Sequence, residues 1–329
     1  MRAVQLHGKG DLRLADVPRP GALKAGEVRV KVEAAGICGS DIHNYRTGQW
    51  ISRTPSIPGH ELSGVITETG PGAGHFNVGD LVVADSRYWC GTCEACRTGK
   101  HHLCQSIGFV GEVCDGGFAE ETVLPARLLL KADQGLPADV AATAEPLAVA
   151  LHAVARLAPV QGETILVTGC GMIGALVALV LSRKGAVSVR VADRNLARAE
   201  LVAEVTGAVA VGVDEPGLAG ISGLVEATGS SPLLRHLVDV VPGGSRIALV
   251  GIFHGHMDLD PTILVERELA LVGCHAFADE LTEAVRLLPY LKDEILQFLS
   301  EPIRLDEVPE AYARIIAGEM KAPKTIIRP

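Results

Sequence analysis

From Thr164 to Cys274 strand-like and helix-like segments alternate, and their first junction reads Gly169-Cys170-Gly171-Met172-Ile173-Gly174. This alternation constrains the fold more than any other feature. Strands are expected at Thr164–Thr168, Val187–Ala192, Ala208–Val213, Gly223–Ala227, Arg246–Val250 and Leu269–Cys274. Helices are expected at Ile173–Lys184, Leu196–Thr206 and Pro232–Val240. Such a series builds a parallel sheet with helices on both faces. A G-x-G-x-x-G turn that follows a strand and opens a helix is a dinucleotide site. Gly169 allows the tight turn, Gly171 admits the pyrophosphate, and Gly174 packs helix on strand. Met172 and Ile173 open the helix whose N-terminus favours phosphate charge.

Asp193 ends the next strand, 19 residues after Gly174. A carboxylate there accepts hydrogen bonds from the ribose 2′-OH and repels a 2′-phosphate, so NAD is expected. The adjacent Arg194 is the residue an NADP site would use, and Asp193-Arg194-Asn195 also reads as a helix-capping turn. Thr228, Val250 and Gly251 follow strands at the same carboxyl edge and are further cofactor candidates.

The first ~130 residues have a different texture: short β segments (Val28–Ala34, Leu62–Thr67, Leu81–Ala84) between Gly and Pro turns. Near Pro137 the chain becomes Ala/Leu-rich, and a helical stretch is expected over Ala138–Ala158. After Asp279 a helix is expected through Leu288, then Ile303–Leu305, Val308–Ile316 and Thr325–Ile327 as strand, helix and strand. These last pieces are assigned to the first domain. The expected division is therefore 1–145 plus 288–329, discontinuous, and 146–287 for the dinucleotide domain. One crossover, Val213 to Gly223, has only about ten residues and suits an extended link or a single turn.

Thr164 to Ser182 carries no charge, but its internal Gly-rich turn favours strand, turn and buried helix over a membrane span. A net charge of −9 without like-charge blocks argues against nucleic acid or an anionic membrane as partner. The eight cysteines are too sparse for a disulfide scaffold, and no signal peptide is evident, so a reducing cytoplasm is expected.

Cys90, Cys93, Cys96 and Cys104 form a C-x2-C-x2-C-x7-C array. Four soft thiolates on short loops suit one tetrahedral, structural Zn²⁺; two disulfides or idle thiols are the competing reading, and His101 and His102 lie inside the array as substitute ligands. Elsewhere Cys38, His60, Glu61 and Glu145 look like parts of an open site, where a zinc ion keeps a position for substrate.

At these residues the chain resembles a known family. Gly59-His60-Glu61, with Gly64, Gly70 and Ala73, matches the signature of zinc-containing medium-chain alcohol dehydrogenases. Gly36-Ile37-Cys38-Gly39-Ser40-Asp41-Ile42-His43 matches the segment that carries the first zinc ligand there. Ala144-Glu145-Pro146-Leu147-Ala148-Val149-Ala150-Leu151-His152 resembles the polyol branch: sorbitol, xylitol and L-idonate dehydrogenases. The resemblance implies an α/β protein with an irregular, β-rich GroES-like catalytic domain and a doubly wound Rossmann domain.

It also implies one catalytic and one structural zinc per chain and a homodimer or homotetramer. Cys38 and His60 would ligate the catalytic zinc, Glu61 would be a ligand or an exchanging one, and Glu145 would contact the zinc or hold its water. Asp41 would orient His60. Ser40 would take the proton of the small-molecule alcohol substrate and pass it to His43 or solvent. Without the resemblance, Ser40 and Asp41 read equally as turn formers and Glu145-Pro146 as a helix start.

The activity implied is NAD-dependent oxidation of a secondary alcohol in a polyol or sugar acid. L-threonine 3-dehydrogenase and a simple alcohol dehydrogenase are the alternatives within enzymes. A non-catalytic NAD-binding relative is the reading from another class.

Overall fold

The structure is a computed structural model that describes residues 1–185, 187–212, 218 and 220–329. It divides into two units: 1–145 with 281–320 and 324–329, and 146–280 with 321–323.

In the first unit, β1 (Arg2–Gly8) and β2 (Asp11–Asp16) form a hairpin. β3 (Glu27–Gly36) carries alternating buried valines and leads into helix α1 (Gly39–Thr47). β4 (Glu61–Thr69) and β5 (Leu81–Ala84) continue the sheet. A short ribbon follows, β6 (Arg87–Tyr88) against β7 (Gly108–Phe109), with the one-turn helix α2 (Glu94–Arg97) between its strands. β8 (Glu121–Pro125) pairs with β3, and β9 (Leu129–Lys131) pairs with β5. Phe118, Leu62, Ile66, Leu124 and Tyr312 lie in the apolar centre of this unit.

The expected helix from Ala138 is two helices, α3 (Ala138–Ala141) and α4 (Ala144–Leu157). By length and composition 138–157 could cross a membrane, but it is a buried core element. The uncharged 164–182 segment is not one helix either. It is the strand β10 (Thr164–Thr168), the glycine turn and helix α5 (Met172–Lys184).

The second unit continues with β11 (Ser188–Ala192), α6 (Leu196–Thr206), β12 (Val209–Ala210), β13 (Gly223–Glu226), α7 (Ser231–Val240), β14 (Arg246–Leu249), α8 (Pro261–Glu266) and β15 (Ala270–Gly273). Among the described residues its sheet is parallel, in the order β12-β11-β10-β13-β14-β15. That is the doubly wound arrangement, with the strand order reversing at β10. The short crossover and the end of the expected 208–213 strand fall partly outside the described residues. α8 had no apolar periodicity to announce it; Asp260 caps it by accepting from Thr262 N–H, and Pro261 opens it.

Helix α9 (Glu280–Phe298) does not stop at Leu288 but runs through Pro289. Its buried stripe, Leu281, Ala284, Leu288, Leu291, Ile295 and Phe298, keeps helical spacing across the proline. Several large buried side chains at about 1.5–3 kcal/mol each outweigh the roughly 3 kcal/mol an interior proline costs. The first unit accordingly resumes at Leu281 rather than at 288. After α10 (Val308–Ala317), β16 (Ile326–Ile327) pairs antiparallel with Ala35 and Gly36 of β3. Ile303 makes only an isolated bridge, to Ile327.

Candidate functional site

The open site gathers at the sheet end where β3, β4 and β16 meet. Cys38 is the N-cap of α1, and Asp41 at the third helical position accepts the Cys38 N–H at 2.8 Å, a capping-box bond. The same carboxylate lies 3.8 Å from His60 Nδ1, so its placement fits a residue that orients the imidazole and leaves Nε2 for a metal. His60 follows a turn in which Gly59 has φ +96° and faces the Phe118 ring; a side chain at 59 would collide with that ring.

Glu61 starts β4 directly opposite Gly36 in the register. A Cβ on Gly36 would strike the Glu61 carboxylate, so this glycine makes room for it. The donor atoms of Cys38, His60 and Glu61 all lie within 4.8 Å of one another. One sulfur, one nitrogen and one oxygen, no more than three protein donors, is the ligand set of a zinc site with a position left for substrate. The electrostatics agree. Burial acts to lower the His60 pKa, but the Cys38 and Asp41 charges outweigh it and hold the pKa well above the ordinary histidine value. A site that attracts a proton this strongly suits a metal cation that replaces it.

Glu145 lies outside that trio. It sits in the first turn of α4, is 6% exposed, and its Oε1 accepts from Ser86 Oγ at 2.6 Å. Burial raises its pKa, opposed by the charge of His60. Ser40 Oγ is 3.5 Å from His60 Nε2. His43 Nε2 is 3.0 Å from Gln49 Oε1, and its ring packs on Trp50 at 4.2 Å. Two functional candidates escaped the sequence reading. Ser86 gave no motif at all. Lys324 donates from Nζ to both Glu61 oxygens, at 2.7 and 2.6 Å, and to the Ile37 carbonyl at 3.0 Å. Only the pairing of β16 with β3 brings a residue so far along the chain to Glu61.

The four-cysteine array is a cage. Cys90, Cys93, Cys96 and Cys104 bring their sulfurs within 4.8 Å of one another, and the Cys90–Cys96 and Cys93–Cys104 separations are 3.9 Å. Disulfide sulfurs would be bonded at about 2.05 Å. A tetrahedron with ~2.3 Å zinc–sulfur bonds has edges near 3.8 Å. The geometry therefore favours one zinc over two disulfides, and all four cysteines are free. The N–H groups of Thr92 and Cys93 point at Cys90 Sγ and bring its pKa down to about 5, which favours thiolate. His101 is turned to stack on Trp89 at 4.5 Å.

In the second unit the parallel register sets Thr168 level with Ala192 and Glu226, and Glu226 level with Leu249. Gly169, Asp193, Thr228, Val250 and Gly251 are thereby delivered to one carboxyl edge. Gly169 has φ +90°, and a Cβ there would press on Ala227 and Thr228. A Cβ on Gly174 would meet the Gly169 carbonyl, whereas Gly171 faces open space, as an approaching pyrophosphate requires. Asp193 accepts from Cys170 N–H and Asn195 N–H, both at 2.7 Å, which ties the glycine turn to the end of β11. Arg194 is exposed.

Glu226, unnoticed in the sequence, is fully buried and holds this edge together. Its carboxylate accepts from Thr228 N–H, Thr228 Oγ1 and Gly229 N–H, and its carbonyl from the Val250 and Gly251 N–H groups. A charged residue ending an otherwise apolar strand was the signal available. Replacing Gly174 with alanine is expected to force the turn apart at about 1–3 kcal/mol of strain. NADH titration by fluorescence should show weakened binding with zinc content unchanged; wild-type affinity would refute the close-packing role.

A GroES-like unit with an S–N–O donor trio and a doubly wound dinucleotide sheet, carried on one chain, define a zinc- and NAD-dependent alcohol dehydrogenase class. Comparison with known proteins agrees. Residues 24–134 match the alcohol dehydrogenase GroES-like domain, and residues 152–218 match the shikimate / quinate 5-dehydrogenase family. An L-threonine 3-dehydrogenase from Deinococcus deserti is 35% identical over 274 residues, 79% of this chain and 78% of that protein. The crystal structure of 2R,3R-butanediol dehydrogenase from Bacillus subtilis superposes with a TM-score of 0.89 at 27% identity, covering 100% and 99% of the two chains. An Escherichia coli CFT073 alcohol dehydrogenase complexed with NADH gives 0.88 at 27%, again covering 100% and 99%. The chain belongs to the zinc-containing medium-chain dehydrogenase family.

Proposed function

We propose that this enzyme oxidises a secondary alcohol whose neighbouring carbon carries a second polar group, with L-threonine the leading substrate. The observation that carries this reading is the 35% identity to an L-threonine 3-dehydrogenase over most of both chains. Vicinal diols of the polyol kind are the second reading. The Ala144–His152 motif and the likeness to a butanediol dehydrogenase favour it. Both substrates present a hydroxyl beside another heteroatom.

Zinc held by Cys38, His60 and Glu61 would lower the pKa of the substrate hydroxyl, and NAD⁺ would accept the hydride. The remaining work falls to the chain. Ser40 receives the hydroxyl proton and hands it toward His43, whose Nε2 is anchored by Gln49. Asp41 keeps the His60 ring in register. Glu145, with one oxygen committed to Ser86, keeps its other oxygen to accept from the neighbouring ammonium or hydroxyl of the substrate. Asp193 at the end of β11 supports NAD over NADP. Among the described residues β15 ends its sheet, an edge that a second copy would pair with in a homodimer or homotetramer.

NADH formation should be followed with L-threonine, vicinal diols and polyols, sugar acids and simple alcohols, with and without a zinc chelator. Chelator-sensitive turnover with the highest kcat/KM on L-threonine is expected. A preference for diols or sugar acids would move the assignment to the second reading. A preference for simple monoalcohols would overturn both.

A further inference from the structure

Glu61 stands between two cations. It belongs to the metal-binding trio, yet both of its oxygens already accept from Lys324. Both partners are buried: the Glu61 side chain is 1% exposed and that of Lys324 is 4%. Gly36 shapes the space for the carboxylate, and the Ile37 carbonyl takes a third bond from the ammonium. An ammonium hydrogen-bonded to both oxygens draws off the electron density that a carboxylate would give to a metal.

We propose that Lys324 is a positioning residue of the catalytic zinc site, holding Glu61 back from the metal so that its coordination position can be yielded. Cys38 and His60 then act as the firm ligands, while Glu61 is an exchanging one governed by the lysine. The inference rests on the zinc site and not on the substrate assigned above, because zinc release is measured with no substrate present.

The test is the rate at which a chromogenic chelator draws zinc from the holoenzyme, with the Cys90–Cys104 cage as an internal reference in the same trace. In Lys324→Met the freed carboxylate should clamp the metal, slowing the catalytic-site phase by about 10- to 100-fold. The conservative Lys324→Arg should release zinc near the wild-type rate. Cobalt substitution gives a second readout: Lys324→Met should weaken the visible d–d absorption as Glu61 adds to the coordination shell. Release as fast as wild type or faster in Lys324→Met, with an unchanged cobalt spectrum, would overturn the proposal.

Should Lys324→Met not fold, the near-isosteric Glu61→Gln decides the matter. A carboxylate already held back predicts release within about threefold of wild type, whereas a full ligand predicts acceleration of the 10- to 100-fold kind, which would sink the idea.

Discussion

Replacing His60 with alanine is expected to lower kcat/KM by about 10³-fold or more, because Lewis-acid polarisation is worth several kcal/mol and each 1.36 kcal/mol is tenfold. The substitution removes the nitrogen donor and leaves Cys38 as the one firm ligand, with both Glu61 oxygens bonded to Lys324. It also leaves Asp41 without the imidazole it faces, though its bond to the Cys38 N–H remains. Metal analysis should fall from two zinc ions per chain to one, since the four-cysteine cage shares no ligand with this site. NADH binding should persist, because the glycine turn belongs to the other unit. Full zinc content with near-wild-type kcat/KM would remove His60 from the site.

What was legible in the sequence follows from how each feature is encoded. β10, α5 and α6 were legible to within a residue because apolar periodicity, glycines and caps lie side by side in the chain. The four cysteines were legible because a metal cage built on one loop writes its ligand spacing directly. Helix α1 was not, since Gly39 to Thr47 has little apolar periodicity and is held by a capping box on Cys38. The continuation of α9 past Pro289 was hidden because local propensity argued against it while burial along one face argued for it. Lys324 and Ser86 carry no local pattern; they reach Glu61 and Glu145 only through strand pairing and tertiary packing. Sequence reading thus named the residues of both metal-binding clusters, which sit in short motifs, but also Glu145, which lies outside them, and it missed Lys324 and Ser86, which bond to Glu61 and Glu145.

The cage allows the opposite experiment, in which structure should fail before chemistry. Cys104→Ser is expected to lose the structural zinc while Cys38, His60 and Glu61 keep theirs. Cys104 is buried, and its sulfur also accepts the Cys90 N–H, so serine removes both a ligand and a stitch across the loop. The segment's secondary structure is slight: one turn of α2 and a short 3₁₀ turn, whose N-caps Cys93 and Lys100 make no side-chain cap bond. Among the described residues one anchor outside the cage is the Trp89 ring, stacked on His101 and covered by the Arg127 guanidinium at 4.5 Å, an exposed contact worth about 0.5–1 kcal/mol. Structural zinc binding in small peptides is worth about 10–16 kcal/mol, so the loop should open once it is gone. Limited proteolysis should then cut between Cys90 and Cys104 first, with thermal stability lowered and one zinc retained. Because the catalytic ligands lie elsewhere, turnover of the uncut variant at low temperature should stay within about tenfold of wild type. Loss of both metals together would instead mean that the loop supports the catalytic site, and the two zinc sites would have to be treated as one cooperative unit.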